Sequence, residues 1–318
     1  MRTGAAADHT GYFHETAFYG SDDEFVAIVG PFLRDGVAAG EPTIVACAPA
    51  NTALLREAVD CTGVRFLAGS GRYVRPGPTI HAYRSMFGDL VAAGADQIRV
   101  VGDVPHPGVG MDWHGWARYE AAINIAYDEF PLWGLCPYDT RTAPASVLDD
   151  VACTHPHVAS ASGHHHSDRY LDPASFLDAR SPPPVDPVEL TEPHTIVLDP
   201  DPRSARAALH EAGVERVLGV TGAANLALAT SEAVTNALVH GRPPTTLRLW
   251  VSDDRVITTV TDRGPGPSDP FVGLVPAPTD QPGGRGLWIA NQVCSDVAAF
   301  HGDGFRLRLT VTAGEDAP

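Results

Sequence analysis

One segment indicates the fold of the second half of this 318-residue chain: Leu228-Ala229-Thr230-Ser231-Glu232-Ala233-Val234-Thr235-Asn236-Ala237-Leu238-Val239-His240-Gly241. It is predicted to be a helix, which places Glu232, Asn236 and His240 along one face at i, i+4 and i+8. A carboxylate next to an amide oxygen, with no lysine nearby, suits base catalysis beside a metal-bound phosphate. The same pattern is also common on solvated helix faces, so this segment alone does not decide the function.

Two further glycine-rich segments follow it, Thr261-Asp262-Arg263-Gly264-Pro265-Gly266 and Gly283-Gly284-Arg285-Gly286-Leu287-Trp288-Ile289. Asp-x-Gly-x-Gly by itself usually marks a tight turn after a strand. In this order, the three segments resemble the N, G1 and G2 boxes of the GHKL ATPases. The first box is most similar to that of the anti-sigma-factor serine kinases of the RsbW and SpoIIAB type. The resemblance implies a two-layer α/β sandwich of the Bergerat type that binds ATP and Mg²⁺.

The resemblance also implies a role for each box residue. Glu232 would be the catalytic base that accepts a proton from the attacking hydroxyl, and Asn236 would be an oxygen ligand of Mg²⁺. Asp262 is similar to the aspartate that accepts a hydrogen bond from the adenine amino group. The other expected nucleotide-binding residues allow close approach of the backbone or begin a helix: Gly264, Gly266, Gly284, Arg285, Gly286 and Leu287.

Two features depart from the family pattern. The glycine before the last strand is commonly followed by a threonine that helps to hold adenine, whereas this chain has Gly304-Phe305. This change predicts a lower nucleotide affinity. The lid loop predicted over 263–285 is also rich in proline, which would restrict its conformations.

The composition narrows the class of protein. A hydrophobic content of 44% over 318 residues predicts two domains, each with its own core. The net charge of −17, from 39 acidic and 22 basic residues, argues against binding to nucleic acid or to an anionic membrane surface. No long apolar run or signal peptide is apparent, and five cysteines without Cys-x-x-Cys favour reduced thiols in the cytoplasm.

The first half alternates predicted strands with predicted helices. The strands are expected at Thr43–Cys47, Gln97–Asp103 and Leu132–Tyr138, and the helices at 22–39, 51–62, 79–94 and 112–129. Asn51 and Asp112 are expected N-caps. Such alternation predicts a mostly parallel sheet with helices on both faces.

This half resembles the MEDS sensory domain, named after methanogen and methylotroph regulators. The resemblance depends on Phe18-Tyr19, Gly40-Glu41, Tyr119-Glu120, Cys136-Pro137-Tyr138-Asp139 and His155-Pro156. It implies a RecA-like three-layer α/β core, in which a phosphate loop would follow the first strand. Residues 47–52 lack a glycine run and a lysine there, so we expect no nucleotide hydrolysis by this domain.

The sequence does not identify the small-molecule signal that a sensory domain would bind. His14, His81, His106, His114 and Cys136 are candidate ligands of a metal or small molecule, but their spacing matches no metal-site pattern. We therefore expect them to be packed or exposed individually.

The predicted domain boundaries are 10–160 for the MEDS-like domain, 161–193 for a His/Pro-rich linker and 194–314 for the ATPase domain. His164, His165 and His166 are expected in a solvated loop, and prolines predict a semi-rigid extended linker around 179–193. In the ATPase domain we expect helices at 203–214, 220–240 and 286–294. Its strands are predicted at Thr195–Leu198, 246–252, 256–262, 296–301 and 305–312.

The combination of a MEDS-like sensory domain with an RsbW-like kinase domain resembles the RsbA-type anti-sigma regulators of actinobacteria. This resemblance implies a serine/threonine kinase that holds a sigma factor and phosphorylates an anti-anti-sigma partner with a STAS domain, with homodimerisation left open. A sensor histidine kinase needs a phosphoacceptor hairpin in place of the proline linker, and a gyrase or chaperone ATPase needs a transducer domain beyond Pro318. The alternative is a sigma-factor trap that binds ATP without phosphotransfer. Glu232 favours the kinase and Phe305 favours the trap.

Overall fold

The computed structural model describes residues 2–67, 73, 75–110, 112–275 and 285–314. The chain divides into two compact units, Met1–Arg180 and Ser181–Pro318. Each unit has its own sheet and its own apolar core.

The first unit is built on a seven-stranded sheet with the order β3-β2-β4-β5-β1-β6-β7. The pairs are parallel except for β6 with β7, which are antiparallel. The strands are β1 (Phe13–Tyr19), β2 (Thr43–Ala46), β3 (Val64–Phe66), β4 (Ile98–Gly102), β5 (Leu132–Asp139), β6 (His157–Ser160) and β7 (Gly163–His166).

Within the described residues, six helices accompany this sheet: α1 (Asp22–Ala38), α2 (Pro49–Ala58), α3 (Pro76–Ala92), α4 (His114–Ala126), α5 (Ala145–Thr154) and α6 (Pro173–Asp178). Helices α1 and α2 pack together, and α4 packs with α3, α5 and α6. Along β1, Phe13, Ala17 and Tyr19 join the core that α1 forms. Side chains alternate between the two faces of a strand, so His14 points to the opposite face, where it contacts Glu120 of α4. This three-layer α/β arrangement is the one expected from the sequence.

Several local expectations in the first unit were wrong. Helix α2 begins at Pro49 with Ala48 as its N-cap, and Asn51 lies inside the helix. The Asn51 amide instead donates hydrogen bonds to Tyr19 and to Asp103. The N-cap of α4 is Trp113, although the Asp112 carboxylate does accept a hydrogen bond from the His114 amide.

The histidine triplet is exposed, as expected, but it is a strand and not a loop. Residues 163–166 form β7, which extends the sheet beside β6, and His164 Nδ1 lies 2.7 Å from the buried Glu15 carboxylate. Hydrogen bonding to Glu15 raises the pKa of His164.

The expected linker, 161–193, also contains regular structure beyond β7, namely α6 and a 3-10 turn at Pro187–Leu190. In the second unit, Glu189 forms ion pairs with Arg306 and Arg308, and Arg308 also donates to the Pro184 carbonyl. The end of this segment is therefore held against the second sheet.

The second unit is a two-layer α/β sandwich, as predicted. Its antiparallel sheet has the order β11-β12-β10-β9-β8. The strands are β8 (Thr195–Leu198), β9 (Thr246–Val251), β10 (Arg255–Asp262), β11 (Asp296–His301) and β12 (Phe305–Thr312), and the helices are α7 (Pro202–Glu211), α8 (Glu215–His240) and α9 (Arg285–Val293). Helix α8 contains a kink at Gly219 and packs on β10 and β12.

Helix α8 is also long and apolar enough to cross a membrane, judged by length and composition alone. No run of that length was apparent from the sequence. Leu226, Ala229, Ala233 and Val234 of this helix are buried in the core of the second unit, as expected for a helix that covers a sheet.

Candidate functional site

The first candidate site is built on α8 and contains Glu232 and Asn236. Both side chains are half-buried, whereas His240 is exposed in the last turn. Ala229, Ala233 and Ala237 are buried next to them and hold this part of the helix on the sheet. The predicted helix therefore places the carboxylate and the amide at the edge of the core.

The start of α9 lies directly against these two side chains. A methyl group on Gly286 would lie 2.7 Å from Oε2 of Glu232 and 3.3 Å from Nδ2 of Asn236. The two helices thus approach closely at Gly286, and a side chain there would displace Glu232. Arg285 is exposed at the first position of α9, so the first turn and the positive end of this helix lie beside Glu232 and Asn236.

Leu287, another expected nucleotide-binding residue, lies in the first turn of α9. It is half-buried and packs on the core of the second unit. It also contacts the lid, because a methyl group on Gly273 would lie 2.8 Å from its Cβ. Gly284, the remaining expected residue of this box, lies outside the described residues, as do Pro276, Pro278 and Pro282 of the lid.

A second group of residues surrounds Asp262, which ends β10 and is 5% exposed. Its Oδ1 accepts hydrogen bonds from the main-chain N–H of Gly264, at 2.5 Å, and from that of Arg242, at 3.1 Å. A methyl group on Gly241 would lie 2.5 Å from the Asp262 carboxyl carbon. This carboxylate therefore ties the turn after β10 to the segment that follows α8.

Phe305 lies beside this second group, on the neighbouring strand β12. It pairs with Asp262 in the register between β10 and β12, and its ring packs beside His301 with 5.2 Å between ring centroids. Gly266 has a positive φ of 74°, and its Cα lies so close to the Phe305 ring that a methyl group there would overlap the ring. The residue that departs from the family pattern thus lies at the G1 turn.

The structure therefore brings the predicted residues together in two groups. One contains Glu232, Asn236 and Gly286, and the other contains Asp262 and Gly264, with Gly266 and Phe305 at its side. The groups are joined by the C-terminal part of α8, because Asn236 and the Gly241 cap are five residues apart, or roughly 7 Å along a helix axis.

The first unit contains a separate group of polar side chains. His14, Glu120, Cys136 and His155 are all buried, and their ligand atoms lie within 4.8 Å of one another. His14 and Cys136 were candidate ligands that we expected to be packed individually, whereas Glu120 and His155 were not candidates. Both of these lie in the short motifs that carry the MEDS resemblance, but their distance from His14 and Cys136 along the chain gives no local pattern that would join them.

Burial governs the protonation of this group. Loss of solvation lowers the pKa of His14 to about 3 and that of His155 to about 3. Burial raises the pKa of Glu120 and raises that of the Cys136 thiol well above its usual range. Each group by itself is therefore driven towards its neutral form.

Comparison with known proteins gives a family for each unit. Residues 13–156 match the MEDS family, described as the methanogen/methylotroph DcmR sensory domain. Residues 199–311 match the histidine kinase-like ATPase domain. The two matches confirm the architecture expected from the sequence, a MEDS domain followed by an ATPase domain of the histidine kinase type.

Among solved structures, the chain is similar to the RsbU and RsbW domains of Rv1364c from Mycobacterium tuberculosis. The match has 23% sequence identity and a TM-score of 0.27, and it covers 37% of this chain. The chain spans about a third of the length of that structure, 32%. No curated protein matches the chain.

Proposed function

We propose that this chain is an anti-sigma factor with ATP-dependent serine/threonine kinase activity towards a STAS-domain anti-anti-sigma partner, controlled by its MEDS domain. The observation that carries the proposal is the contact of Gly286, at the start of α9, with Glu232 and Asn236 on α8. The N-terminal turn of a helix, next to a carboxylate and an amide, is a suitable place for transfer of a phosphoryl group.

The two groups of side chains fit the two ends of one nucleotide. At one end, Asp262 is a buried carboxylate whose Oδ1 is held by two main-chain N–H groups, so its other oxygen is fixed in orientation to accept from the adenine amino group. At the other end, the first turn of α9 and the exposed Arg285 would bind the phosphates.

The residues present also fit a magnesium ion. Asn236 offers a neutral amide oxygen, and Mg²⁺ typically combines one or two protein oxygens with water and phosphate oxygens. When bound, the ion would neutralise charge on the transferred phosphate. ATP with Mg²⁺ is therefore the cofactor that we propose for the second unit.

Glu232 has the environment that a general base needs. It is half-buried, and within the described residues it forms no ion pair that would hold its carboxylate away from a substrate hydroxyl. We assign it the removal of the proton from the partner's serine or threonine. The net charge of −17 gives no support to a nucleic-acid or membrane partner and is compatible with a cytoplasmic protein that acts on other proteins.

A second function is favoured by Phe305. Its ring occupies the side of the Asp262 group, where the family commonly has a threonine. Weak nucleotide binding would leave a trap that holds the sigma factor without phosphotransfer.

The variant Glu232→Gln separates the two functions, because glutamine keeps the size of the side chain but does not accept a proton at neutral pH. With γ-labelled ATP and a STAS-domain partner, we expect the initial rate of phosphorylation to fall by about 100-fold or more. Binding of ATP and of the sigma factor should persist. Glu215→Gln, an exposed substitution in the first turn of the same helix, serves as the control and should keep the wild-type rate.

The partners must first be identified by co-purification from the native cell. If the wild-type chain binds the sigma factor but transfers no label to any co-purified STAS protein, the trap is the correct function. If Glu232→Gln transfers label at the wild-type rate, Glu232 is not the base.

A further inference from the structure

The four buried side chains of the first unit come from four different elements. His14 lies on β1, Cys136 on β5, Glu120 on α4, and His155 directly after α5. Parallel pairing of β1 with β5 brings the two strand residues close together, since Thr16 is the direct partner of Cys136. Helix α4 then adds the carboxylate from the face that β1 presents to it.

The distances between the ligand atoms match the edges of a metal coordination tetrahedron. His14 Nε2 is 3.4 Å from Oε2 of Glu120 and 3.7 Å from Sγ of Cys136. His155 Nε2 is 3.6 Å from the same Glu120 oxygen. Bond lengths of about 2.0–2.3 Å to a tetrahedral Zn²⁺ ion place its ligand atoms roughly 3.3–3.7 Å apart.

Two of these atoms have no hydrogen-bond partner among the described residues. Oε2 of Glu120 and Nε2 of His155 are fully enclosed and, within the described part of the chain, accept or donate no hydrogen bond. A buried polar atom without a partner is costly, so its retention calls for an explanation. Both atoms are directed towards the centre of the group, where one ion would contact all four side chains.

The remaining atoms of these side chains are already held in place. His14 Nδ1 lies 3.0 Å from the Asn124 amide oxygen, and His155 Nδ1 lies 2.8 Å from the Val151 carbonyl oxygen. If each Nδ1 carries the proton, each Nε2 is left with its lone pair facing inward. The second oxygen of Glu120 accepts a hydrogen bond from the Tyr138 hydroxyl at 2.5 Å. Orientation of metal ligands by such outer hydrogen bonds is the usual arrangement in protein metal sites.

Charge supports the same conclusion. Two neutral imidazoles, one carboxylate and one thiolate carry a formal charge of −2, which a divalent cation cancels. The group is buried, so a neutral assembly can remain there without the cost of an uncompensated charge. The mixed nitrogen, sulfur and oxygen donors suit zinc and similar first-row ions rather than Mg²⁺ or Ca²⁺.

We propose that His14, Glu120, Cys136 and His155 form a binding site for a divalent transition-metal ion, with Zn²⁺ as the best fit. Four protein ligands and complete burial leave no open coordination position. The site therefore stabilises or regulates the first unit and does not activate water. The proposal does not depend on the function assigned to the second unit.

Metal analysis of the full-length chain, purified without chelator and with any affinity tag removed, tests the site. We expect about one Zn²⁺ per chain by mass spectrometry. After chelation, added Co²⁺ should give the strong visible bands of a tetrahedral site together with a thiolate-to-cobalt charge-transfer band. Nucleotide and Mg²⁺ are left out, so that the second unit contributes no cofactor of its own.

Variants assign the metal to this group. Cys136→Ser should abolish the charge-transfer band, whereas His165→Gln, at an exposed histidine of the same unit, should leave the metal content and the spectrum unchanged. Asn124→Ala removes a partner of His14 without removing a ligand, and we expect it to weaken Co²⁺ binding roughly 10–100-fold.

The proposal is overturned if the wild-type chain binds neither Zn²⁺ nor Co²⁺ at a stoichiometry above one tenth. It is also overturned if the wild-type cobalt spectrum lacks a thiolate band. Circular dichroism of each variant shows whether it folds. Should Cys136→Ser fail to fold, the wild-type spectrum and the Asn124→Ala titration still decide the matter.

Discussion

Two substitutions of Asp262 distinguish its structural role from its proposed role in binding adenine. Asparagine keeps an oxygen that can accept the hydrogen bonds from the Gly264 and Arg242 N–H groups, but it replaces the other carboxylate oxygen with an NH₂ donor. Alanine removes both acceptors and leaves two main-chain N–H groups unpaired next to a residue that is 5% exposed. The two variants should therefore differ in stability and agree in their loss of ATP affinity.

The magnitudes follow from the number of hydrogen bonds. Each unsatisfied buried group costs about 1–3 kcal/mol, so Asp262→Ala should lower the free energy of unfolding of the second unit by about 2–6 kcal/mol. Asp262→Asn should lower it by less than about 1.5 kcal/mol. A hydrogen bond from adenine to a charged acceptor contributes about 1.5–3 kcal/mol, so both variants should bind ATP roughly 10–100-fold more weakly.

Urea unfolding followed by circular dichroism measures the stability, and isothermal titration with ATP and Mg²⁺ measures the affinity. GTP is the matched ligand, since guanine presents a carbonyl oxygen where adenine has its amino group. The NH₂ group of Asp262→Asn can donate to that oxygen, so the preference for ATP over GTP should decrease. If Asp262→Asn binds ATP as tightly as the wild type, Asp262 serves the turn alone and the adenine assignment is wrong.

Three other predictions concern contacts in the two units. Gly286→Ala should weaken ATP binding, because the methyl group would lie 2.7 Å from Oε2 of Glu232 and would force this flexible side chain out of its position beside α9, at a cost of about 0.5–1.5 kcal/mol; Gly302→Ala, in open space, is the control for the titration. In metal-free protein, the lowered pKa values of His14 and His155 mean that the unfolded chain binds more protons between pH 6.5 and about 3. As the pH is lowered through this window, the free energy of unfolding of the first unit should therefore decrease by up to about 1.4 kcal/mol per pH unit for each histidine. Urea unfolding at a series of pH values should show a shallower dependence of this free energy on pH for His155→Gln. A fragment of residues 1–180 should fold alone and give no ATP signal in calorimetry, because ATP binding is assigned to the second unit. Saturable ATP binding by the fragment would contradict this assignment.

The strands and helices of the second unit were predictable to within a few residues, over the described part of the chain, because their signals are local. Strands β11 and β12 occupy the predicted ranges, and the helix that carries Glu232 ends at His240 as expected. Alternating apolar residues define the antiparallel strands, and Gly264, Gly266 and Gly286 lie where two segments approach closely. The contact between Gly286 and Glu232 was not itself predicted. It depends on how α9 packs against α8, which no pattern within either segment specifies.

Strand β1 was not predicted from the sequence, and its buried polar residues explain why. Its residues His14, Glu15 and Thr16 are fully buried, although sequence patterns predict that such side chains are exposed. The Glu15 carboxylate is satisfied by the Trp133 indole and by His164, from strands far away in the chain. A strand whose polar residues find their partners only after folding has no apolar alternation to reveal it.

The proposed metal site, like strand β1, contains polar side chains that are buried. Polar side chains remain buried at β1 only where something compensates for their lost solvation. At Glu15 the compensation is visible as hydrogen bonds, whereas at Glu120 and His155 one atom of each side chain has none within the described residues. Sequence spacing failed here because four ligands from four elements share no local pattern, and only the parallel pairing of β1 with β5 brings His14 to Cys136. Buried polar atoms that converge without partners among the described residues are therefore a stronger indication of a ligand than any spacing of histidines and cysteines along this chain.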